Sequence, residues 1–270
     1  RSDYMFNAEN NTLKLPCGAD MYYAKFGKGS KNLVMIPGLN IVDMEGTAGN
    51  LAYFYRKFAK EFTIYIFGRR SGRDENATIK SMADDLYDAI NSLGIGEAYV
   101  LGVSQGGMIA QYLTAEHPEL VKKLVLGVTA ASTNPTMLEA LGEWIKMAEN
   151  GDLKGILTKS YDRMYTPKQM KLYRLLIPVL MKFTKFMSIE RFEDHAKAIL
   201  SLDCSHLLNN ITCPSLVLGA ELDKVTTAQA SREIADTLGC RCHIFKGEGH
   251  AVYLKSEFNK MVYDFFTEKE

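Results

Sequence analysis

The segment Gly102-Val103-Ser104-Gln105-Gly106-Gly107 places a serine between glycines, directly after a predicted strand and directly before a predicted helix. This context predicts a nucleophile elbow, a sharp turn that presents a serine hydroxyl at the carboxyl edge of a sheet. Such a turn strains the backbone of Ser104, and Gly102 and Gly106 leave room for the close packing that it requires. Without a strand before it and a helix after it, the same segment would indicate only an ordinary glycine-rich turn.

A serine hydroxyl is a poor nucleophile until a base takes its proton, so this chemistry requires a histidine and a carboxylate that orients it. His250 lies in the loop Gly247-Glu248-Gly249-His250, just after the last predicted strand, where a base can reach back to the elbow. Surface or packing roles are predicted for the other four histidines: His117, His195, His206 and His243.

The predicted carboxylate is Asp223, because it follows the strand at 216–218 and so lies at the same edge of the sheet. An alternative is that Asp223 caps the helix that begins near Thr226. Glu221 is a competing candidate. Glu248 neighbours the histidine in sequence, but adjacency does not aim a carboxylate at the correct ring nitrogen.

The chain order Ser104, Asp223, His250 matches the order found in α/β-hydrolases. The sequence resembles that superfamily from the strand before Pro37-Gly38 to the His250 loop, and in particular its capped, single-domain serine hydrolases of bacterial type. The resemblance implies acyl transfer: Ser104 attacks a carbonyl, His250 relays the proton, Asp223 orients His250, and water hydrolyses the acyl-enzyme.

The resemblance also implies an oxyanion hole made of two backbone N–H groups. One is the N–H of Gln105, which follows the nucleophile at a helix N-terminus, where the dipole favours negative charge. By position, the second is the N–H of Leu39. Relatives usually have a His-Gly pair before this donor, whereas this chain has Pro37-Gly38. Asn40 is either a polar contact for the substrate or a turn residue.

A second departure from the family pattern is Gly68-Arg69-Arg70-Ser71-Gly72, where relatives often begin with Asp. We interpret Arg69 and Arg70 as structural residues or residues of the rim of the site, and not as catalysts.

These residues require an α/β fold that brings strand ends together. Short β-rich runs alternate with helical ones, which is typical of a mostly parallel central sheet flanked by helices. A hairpin-like strand pair is predicted over residues 13–26, with a turn at 27–30. The further predicted strands are 32–36, 62–67, 98–103, 123–128, 215–218 and 241–245. The predicted helices of the core are 79–93, 105–116, 227–238 and a terminal helix from about 252.

Residues 135–202 have no strand signal and interrupt this pattern. We therefore predict an α/β-hydrolase core over 1–134 and 203–270 and an inserted helical cap over 135–202. Thr166-Pro167-Lys168-Gln169 predicts a helix start, and Pro178 predicts that this helix is kinked or split. Most Met and aromatic residues of the cap should pack on the core, and a minority should line an apolar pocket over the nucleophile. The pocket candidates are Asn40, Trp144 and Tyr165.

Residues 163–189 carry six cations and no acidic residue. This basic segment is either a solvated face balanced by acidic residues elsewhere, which we favour, or an amphipathic face for anionic lipid or an acidic substrate.

Composition limits the classes of function. The 32 Lys and Arg residues balance the 32 Asp and Glu residues, so a nucleic-acid partner is not expected. No apolar run is long enough to span a bilayer, so no stable membrane insertion is expected. The five cysteines lack metal-site spacing and indicate reduced thiols, which favours a cytoplasmic location, although the chain begins at Arg1 and a removed leader stays open. No dinucleotide, phosphate-loop or zinc-helix motif occurs, so no cofactor and no metal are predicted.

The sequence thus predicts a serine hydrolase for a carboxylic ester with a small to medium apolar acyl or aryl group. A carbon-carbon bond hydrolase, a lactonase or a cofactor-free peroxidase would use the same triad. A small-molecule receptor with little turnover is the alternative from another class. Serine at position 104, where a dehalogenase or epoxide hydrolase has aspartate, argues against those two activities. The residues leave open whether the protein is a monomer or a homodimer.

Overall fold

An eight-stranded sheet forms the centre of the computed structural model, which describes residues 7–268. The strand order is β1-β2-β4-β3-β5-β6-β7-β8. Only the β1–β2 and β2–β4 pairs are antiparallel. The strands are β1 Glu9–Lys14, β2 Asp20–Phe26, β3 Lys31–Ile36, β4 Phe62–Arg70, β5 Ala98–Val103, β6 Val121–Gly127, β7 Ser215–Ala220 and β8 Arg241–Phe245.

Helices cover both faces of this sheet. Every residue of β5 and of β7 is buried, as expected for parallel strands that are covered on both sides. The helices are α1 Ala48–Phe54, α2 Ile79–Ser92, α3 Gln105–Glu116, α4 Pro135–Glu149, α5 Leu153–Met164, α6 Pro167–Phe183, α7 Ile189–Leu200, α8 Ala228–Leu238 and α9 Ser256–Thr267.

The helices α4 to α7 form an insert between β6 and β7, as the missing strand signal predicts. The helix α6 begins at Pro167, and the side chain of Gln169 accepts a hydrogen bond from the backbone N–H of Thr166. Pro178 was predicted to kink or split this helix, and the structure excludes the split, because α6 continues through Pro178. Proline removes one N–H donor, and the packing of the buried Met170 and Ile177 on the inner face helps to hold the helix together.

Three predicted boundaries also differ from the structure. The first hairpin turns at residues 15–19, where Gly18 has φ +86°, and not at 27–30. The segment 27–30 instead leads to β3, which does not pair with β2 because β4 lies between them. The terminal helix begins at Ser256, because residues His250–Leu254 form a 3-10 turn. The strand β4 continues past Gly68 to Arg70.

None of the helices within residues 7–268 is both long enough and apolar enough to cross a membrane.

Candidate active site

The strand β5 ends at Val103 and α3 begins at Gln105, so Ser104 alone makes the turn between them. Its backbone has φ +53° and ψ −123°, a conformation that costs a non-glycine residue on the order of 1–3 kcal/mol. Two hydrogen bonds hold it there: Ser104 N–H donates to Gly127 O at 2.9 Å, and Thr129 Oγ1 donates to Ser104 O at 2.7 Å. The expected strained elbow is therefore present.

The glycines around Ser104 allow α3 to lie directly against the sheet. A Cβ atom on Gly106 would lie 1.9 Å from Ile36 O, and one on Gly102 would lie 2.5 Å from Gly106 O. A Cβ atom on Gly107 would lie 2.7 Å from Thr129. Side chains at these positions would push the helix away and move the serine.

The structure brings Ser104, His250 and Asp223 together. His250 Nδ1 lies 2.9 Å from Asp223 Oδ2, and His250 Nε2 lies 3.0 Å from Ser104 Oγ. Both His250 and Asp223 are buried. Because the carboxylate can only accept, Nδ1–H donates to Asp223, which leaves Nε2 free to accept the serine proton. Each of the two contacts has the length of a normal hydrogen bond.

The carboxylate of Asp223 is held on both oxygens. Its Oδ1 accepts hydrogen bonds from the backbone N–H of Val225 at 2.7 Å and of Thr226 at 3.0 Å. Its Oδ2 lies 2.9 Å from Thr226 Oγ1, in addition to His250. Burial alone would raise the pKa of Asp223, but the charge of His250 and these hydrogen bonds lower it below its ordinary value. Asp223 therefore stays ionised and keeps the imidazole oriented.

The competing carboxylates point elsewhere. Glu221 accepts a hydrogen bond from Gly247 N–H at 2.7 Å, and Glu248 pairs with Lys255. The side chain of Thr227, and not that of Asp223, caps α8.

The loop after β3 lies against the nucleophile. A Cβ atom on Gly38 would lie 3.0 Å from Ser104 Cβ and 3.5 Å from Ser104 Oγ, so a side chain at this position would crowd the serine. The backbone N–H groups of Leu39 and Gln105 donate to no described residue. An oxyanion hole requires two backbone donors that no other group uses, and these two N–H groups meet that condition among the described residues. Proline in place of the usual histidine does not remove the Leu39 donor.

A cavity of about 360 Å³ opens beside Ser104 and His250. All three predicted pocket residues, Asn40, Trp144 and Tyr165, line it. Asn40 is also a turn residue, because its Oδ1 accepts from Val42 N–H at 3.0 Å. The remaining wall is mostly aliphatic, Met and aromatic, and includes Met108, Met137, Leu141, Ile156, Leu157, Met164, Phe192 and Ile199. Such a wall suits an apolar group.

Few polar groups interrupt this wall. Burial, followed by the neighbouring Tyr173, raises the pKa of Tyr165 above its ordinary value. Trp144 Nε1 is buried and has no hydrogen-bond partner among the described residues.

The two arginines after Gly68 have different surroundings. Arg70 binds Asp85 through two hydrogen bonds of 2.6 and 2.7 Å, which is a structural role. Arg69 donates to Pro37 O at 2.6 Å and lies 3.5 Å from Gln105 Oε1, so it holds the loop next to the nucleophile from behind.

Sequence reasoning missed a second cavity of about 340 Å³, whose wall includes Arg69, Gln105, Arg191 and His195. His195 was predicted to have a surface or packing role, and it is buried in α7. No sequence motif joins these residues, because Arg69 and Arg191 come from distant parts of the chain. The one signal that the sequence offered was the polar run Arg69-Arg70-Ser71, which follows the predicted strand at 62–67.

The basic segment 163–189 is partly neutralised by ion pairs. Arg163 pairs with Glu139 and Glu143, Arg174 with Asp162, and Lys185 with Asp43 and Glu45. Lys168, Lys171 and Lys182 are exposed and have no carboxylate partner among the described residues. Beside them α6 exposes large apolar side chains at helical spacing: Leu172, Leu175, Leu176, Val179 and Phe183.

A family model described as alpha/beta hydrolase fold matches residues 46–257, more than half of the 270 residues. The chain belongs to this family. Mouse serine hydrolase BPHL is 24% identical over 262 residues, which cover 92% of this chain and 83% of that protein.

Solved structures have the same fold as this α/β hydrolase. The enol-lactonase from Burkholderia xenovorans matches with a TM-score of 0.83 and 20% identity, over 96% of this chain and 100% of that chain. A thermophilic esterase from Thermogutta terrifontis matches with a TM-score of 0.75 and 18% identity, over 96% and 98% of the two chains.

Within residues 7–268, no group of three or more His, Cys, Asp or Glu side chains is arranged to hold a metal ion.

Proposed function

We propose that this α/β hydrolase is a serine esterase that cleaves a carboxylic ester with a small to medium apolar acyl or aryl group. The observation that carries the proposal is the hydrogen-bonded series Asp223, His250 and Ser104, with distances of 2.9 and 3.0 Å, in the wall of an apolar cavity. Apolar walls exclude water and strengthen the electrostatic interactions of the site.

The mechanism proceeds by acyl transfer. As Ser104 Oγ attacks the ester carbon, its proton moves to His250 Nε2, and Asp223 stabilises the imidazolium. The N–H groups of Leu39 and Gln105 bind the oxyanion that forms on the former carbonyl oxygen. His250 then donates the proton to the leaving alcohol. Water attacks the acyl-enzyme with His250 as the base, which releases the acid and restores Ser104.

The insert over residues 135–202 acts in this proposal as a cap on a core formed by 1–134 and 203–270. It supplies Trp144, from α4, and Tyr165, which directly follows α5, to the cavity, so the cap determines which acyl or aryl group fits. The proposed substrate is a small molecule.

The test is a series of p-nitrophenyl esters from acetate to octanoate. Wild type and the control Ser92→Ala, which changes an exposed serine of α2, should show a burst followed by steady turnover. Ser104→Ala should lose about 10³-fold or more of the rate. A fluorophosphonate should label Ser104 in wild type, and mass spectrometry of the digest identifies the labelled peptide.

Equal background release by wild type and Ser104→Ala would contradict the esterase proposal. With tight retention of a ligand, that result would support the receptor alternative.

A lactonase is the second candidate, because the same acyl-transfer steps open a cyclic ester and an enol-lactonase is among the proteins of the same fold. Hydrolysis of γ- and δ-lactones, followed by acid release at constant pH, compares the two. Carbon-carbon bond hydrolysis and cofactor-free peroxidase chemistry both predict slow turnover of simple esters and lactones.

We also propose weak contact of α6 with an anionic lipid surface. The exposed apolar side chains of α6 lie beside Lys168, Lys171 and Lys182, which have no carboxylate partner among the described residues. This combination binds at the headgroup boundary of a membrane.

The five free cysteines support a cytoplasmic location, which we propose for this protein.

A further inference from the structure

The second cavity borders the Ser104 cavity, because Pro37, Gly38 and Asn40 line both of them. With a volume of about 340 Å³, it is large enough for a small organic molecule. None of the steps proposed above uses it.

Two arginines in its wall have no carboxylate partner. Arg69, near the end of β4, donates to Pro37 O, and Arg191, in the first turn of α7, donates to Arg69 O at 2.9 Å and Arg70 O at 2.7 Å. No carboxylate oxygen of a described residue lies within 4.0 Å of either guanidinium. In contrast, the nearby Arg70 and Arg73 pair with Asp85 and Asp194 respectively.

The surroundings disfavour these two positive charges. Burial lowers the pKa of Arg69 and of Arg191. The charge of Arg191 lowers the pKa of Arg69 further, whereas the charge of Asp43 offsets part of the effect of burial on Arg191. The Nε atoms of both arginines are buried and have no hydrogen-bond partner among the described residues. Two cations with only neutral partners, in the wall of one cavity, are stabilised when an anion enters it.

His195 adds a neutral donor to the same wall. It is only 5% exposed, it lines the cavity, and neither ring nitrogen is hydrogen-bonded to a described residue. Burial, and then the charges of Arg69 and Arg191, lower its pKa to about 3. The ring is therefore neutral at pH 7 and has one N–H to donate.

Three carboxylates also line this cavity, and two lysines pair with them. Asp20 pairs with Lys14 at 3.0 Å, whereas Asp43 and Glu45 both pair with Lys185. None of the three carboxylates lies within 4.0 Å of either guanidinium, so neither arginine has a carboxylate in direct contact.

We propose that this cavity binds a carboxylate group, which Arg191, Arg69 and His195 hold by charge and hydrogen bonds. Guanidinium groups match the planar, two-oxygen geometry of a carboxylate. The carboxylate belongs either to the substrate, on a chain that passes the Pro37–Asn40 loop, or to a free organic acid that binds behind this loop. Only the substrate form rests on the esterase proposal.

The direct test is calorimetry of glutarate binding to Ser104→Ala, with glutaramide as the uncharged control. We expect one glutarate to bind per chain and glutaramide not to bind. Arg191→Gln should weaken glutarate binding about tenfold or more, because a charge-assisted hydrogen bond is lost. Arg232→Gln, which removes an exposed arginine of α8, should bind as the Ser104→Ala parent does. If Arg191→Gln does not fold, Arg191→Lys replaces it. Competition between succinate and glutarate for binding to Ser104→Ala is then measured as well.

A comparison of two esters of equal chain length distinguishes the two sources of the carboxylate. The esters are p-nitrophenyl pentanoate and mono-p-nitrophenyl glutarate. If the substrate carries the carboxylate, wild type should favour the glutarate ester in kcat/KM, and this ratio should fall towards one in Arg191→Gln but not in Arg232→Gln. If a free acid binds, the two esters should react alike while glutarate binds to Ser104→Ala.

Absence of glutarate binding at millimolar concentration, together with equal rates for both esters, overturns the carboxylate site. Glutarate binding to a protein that hydrolyses no ester would instead support the site and contradict the esterase proposal.

Discussion

Asp223 illustrates how one buried carboxylate fixes a tautomer. It accepts from His250 Nδ1 and from two backbone N–H groups, and both of its oxygens are used. An amide in its place would offer an N–H to Nδ1 and so reverse the proton positions on the ring. The serine would then face an N–H and have no base.

We therefore expect Asp223→Asn to lower kcat by about 10³- to 10⁴-fold with a smaller effect on KM. Steady-state kinetics on the best p-nitrophenyl ester measures this. Glu221→Gln is the matched control and should keep the wild-type kcat, because that side chain contacts Gly247 and not the imidazole. A similar loss of rate in both variants would point to Glu221 as a partner of His250.

Local patterns in the sequence were enough to group Ser104, Asp223 and His250, and the structure places His250 within hydrogen-bond distance of the other two. Each follows a strand, and parallel strands end at one edge, so local patterns place all three at that edge. The second cavity could not be predicted in this way. Arg69 and Arg191 meet because the insert folds back over β4, and this contact depends on packing between elements that no short pattern records.

The contact between α3 and β3 depends on the absence of a side chain at Gly106. We expect Gly106→Ala to lower the free energy of unfolding by about 1–3 kcal/mol, because its Cβ would lie 1.9 Å from Ile36 O. Urea unfolding followed by circular dichroism measures the change.

Gly142→Ala is the control for that substitution. It lies within α4 with nothing within 4 Å of the added Cβ. Alanine there should stabilise the protein by about 0.5–1 kcal/mol. Equal effects of the two substitutions would mean that α3 can move away from the strand at little cost.

The helix α4 supplies Trp144 to the cavity wall. We expect Trp144→Leu to enlarge the cavity and to raise kcat/KM for octanoate relative to acetate about tenfold. The ester series measures this ratio. Leu138→Ala, on the exposed face of the same helix, should leave the ratio unchanged. An unchanged ratio in Trp144→Leu would place the acyl group elsewhere in the cavity.

The exposed face of α6 leads to a prediction for lipid surfaces. We expect vesicles rich in phosphatidylserine to co-sediment with wild type at low salt and much less with Leu175→Glu, because charge on this face opposes burial among the headgroups. Leu138→Glu, an exposed leucine of α4, is the matched control. Co-sedimentation that is equal in both variants, or self-association through this face in place of vesicle binding, would contradict the lipid contact.

Element boundaries were predicted well where burial and turn residues coincide, as at β5 and α3. The first hairpin was misplaced because β-rich residues run on both sides of the turn at 15–19, and pairing with β4 determines where β2 ends. The continuation of α6 through Pro178 likewise depends on packing of its inner face, which the sequence does not show.

His195 couples the stability of the folded chain to pH. Its pKa in the folded protein is about 3, below the value of about 6.5 expected in an unfolded chain. As the pH falls from about 6.5 towards 3, the unfolded chain binds a proton that the folded protein excludes. The folded state should therefore lose stability over that window, by up to about 1.4 kcal/mol per pH unit.

His195→Asn should reduce this slope, because asparagine binds no proton in either state. Urea unfolding at intervals from pH 7 to pH 4.5 gives the slope, and His206→Asn, which changes an exposed histidine, should follow wild type. Parallel curves for wild type and His195→Asn would contradict this assignment.

The proposed nucleophile and the proposed base lie 146 residues apart in the chain. Ribosomes add about 5–20 residues per second, so a nascent chain holds Ser104 for roughly 7–30 seconds before His250 is made. During this interval the strand that carries the serine can already pair with its neighbours. In the proposed mechanism the hydroxyl has no proton acceptor during this interval, so the growing polypeptide should become able to hydrolyse an ester only after β7 and β8 have joined the sheet.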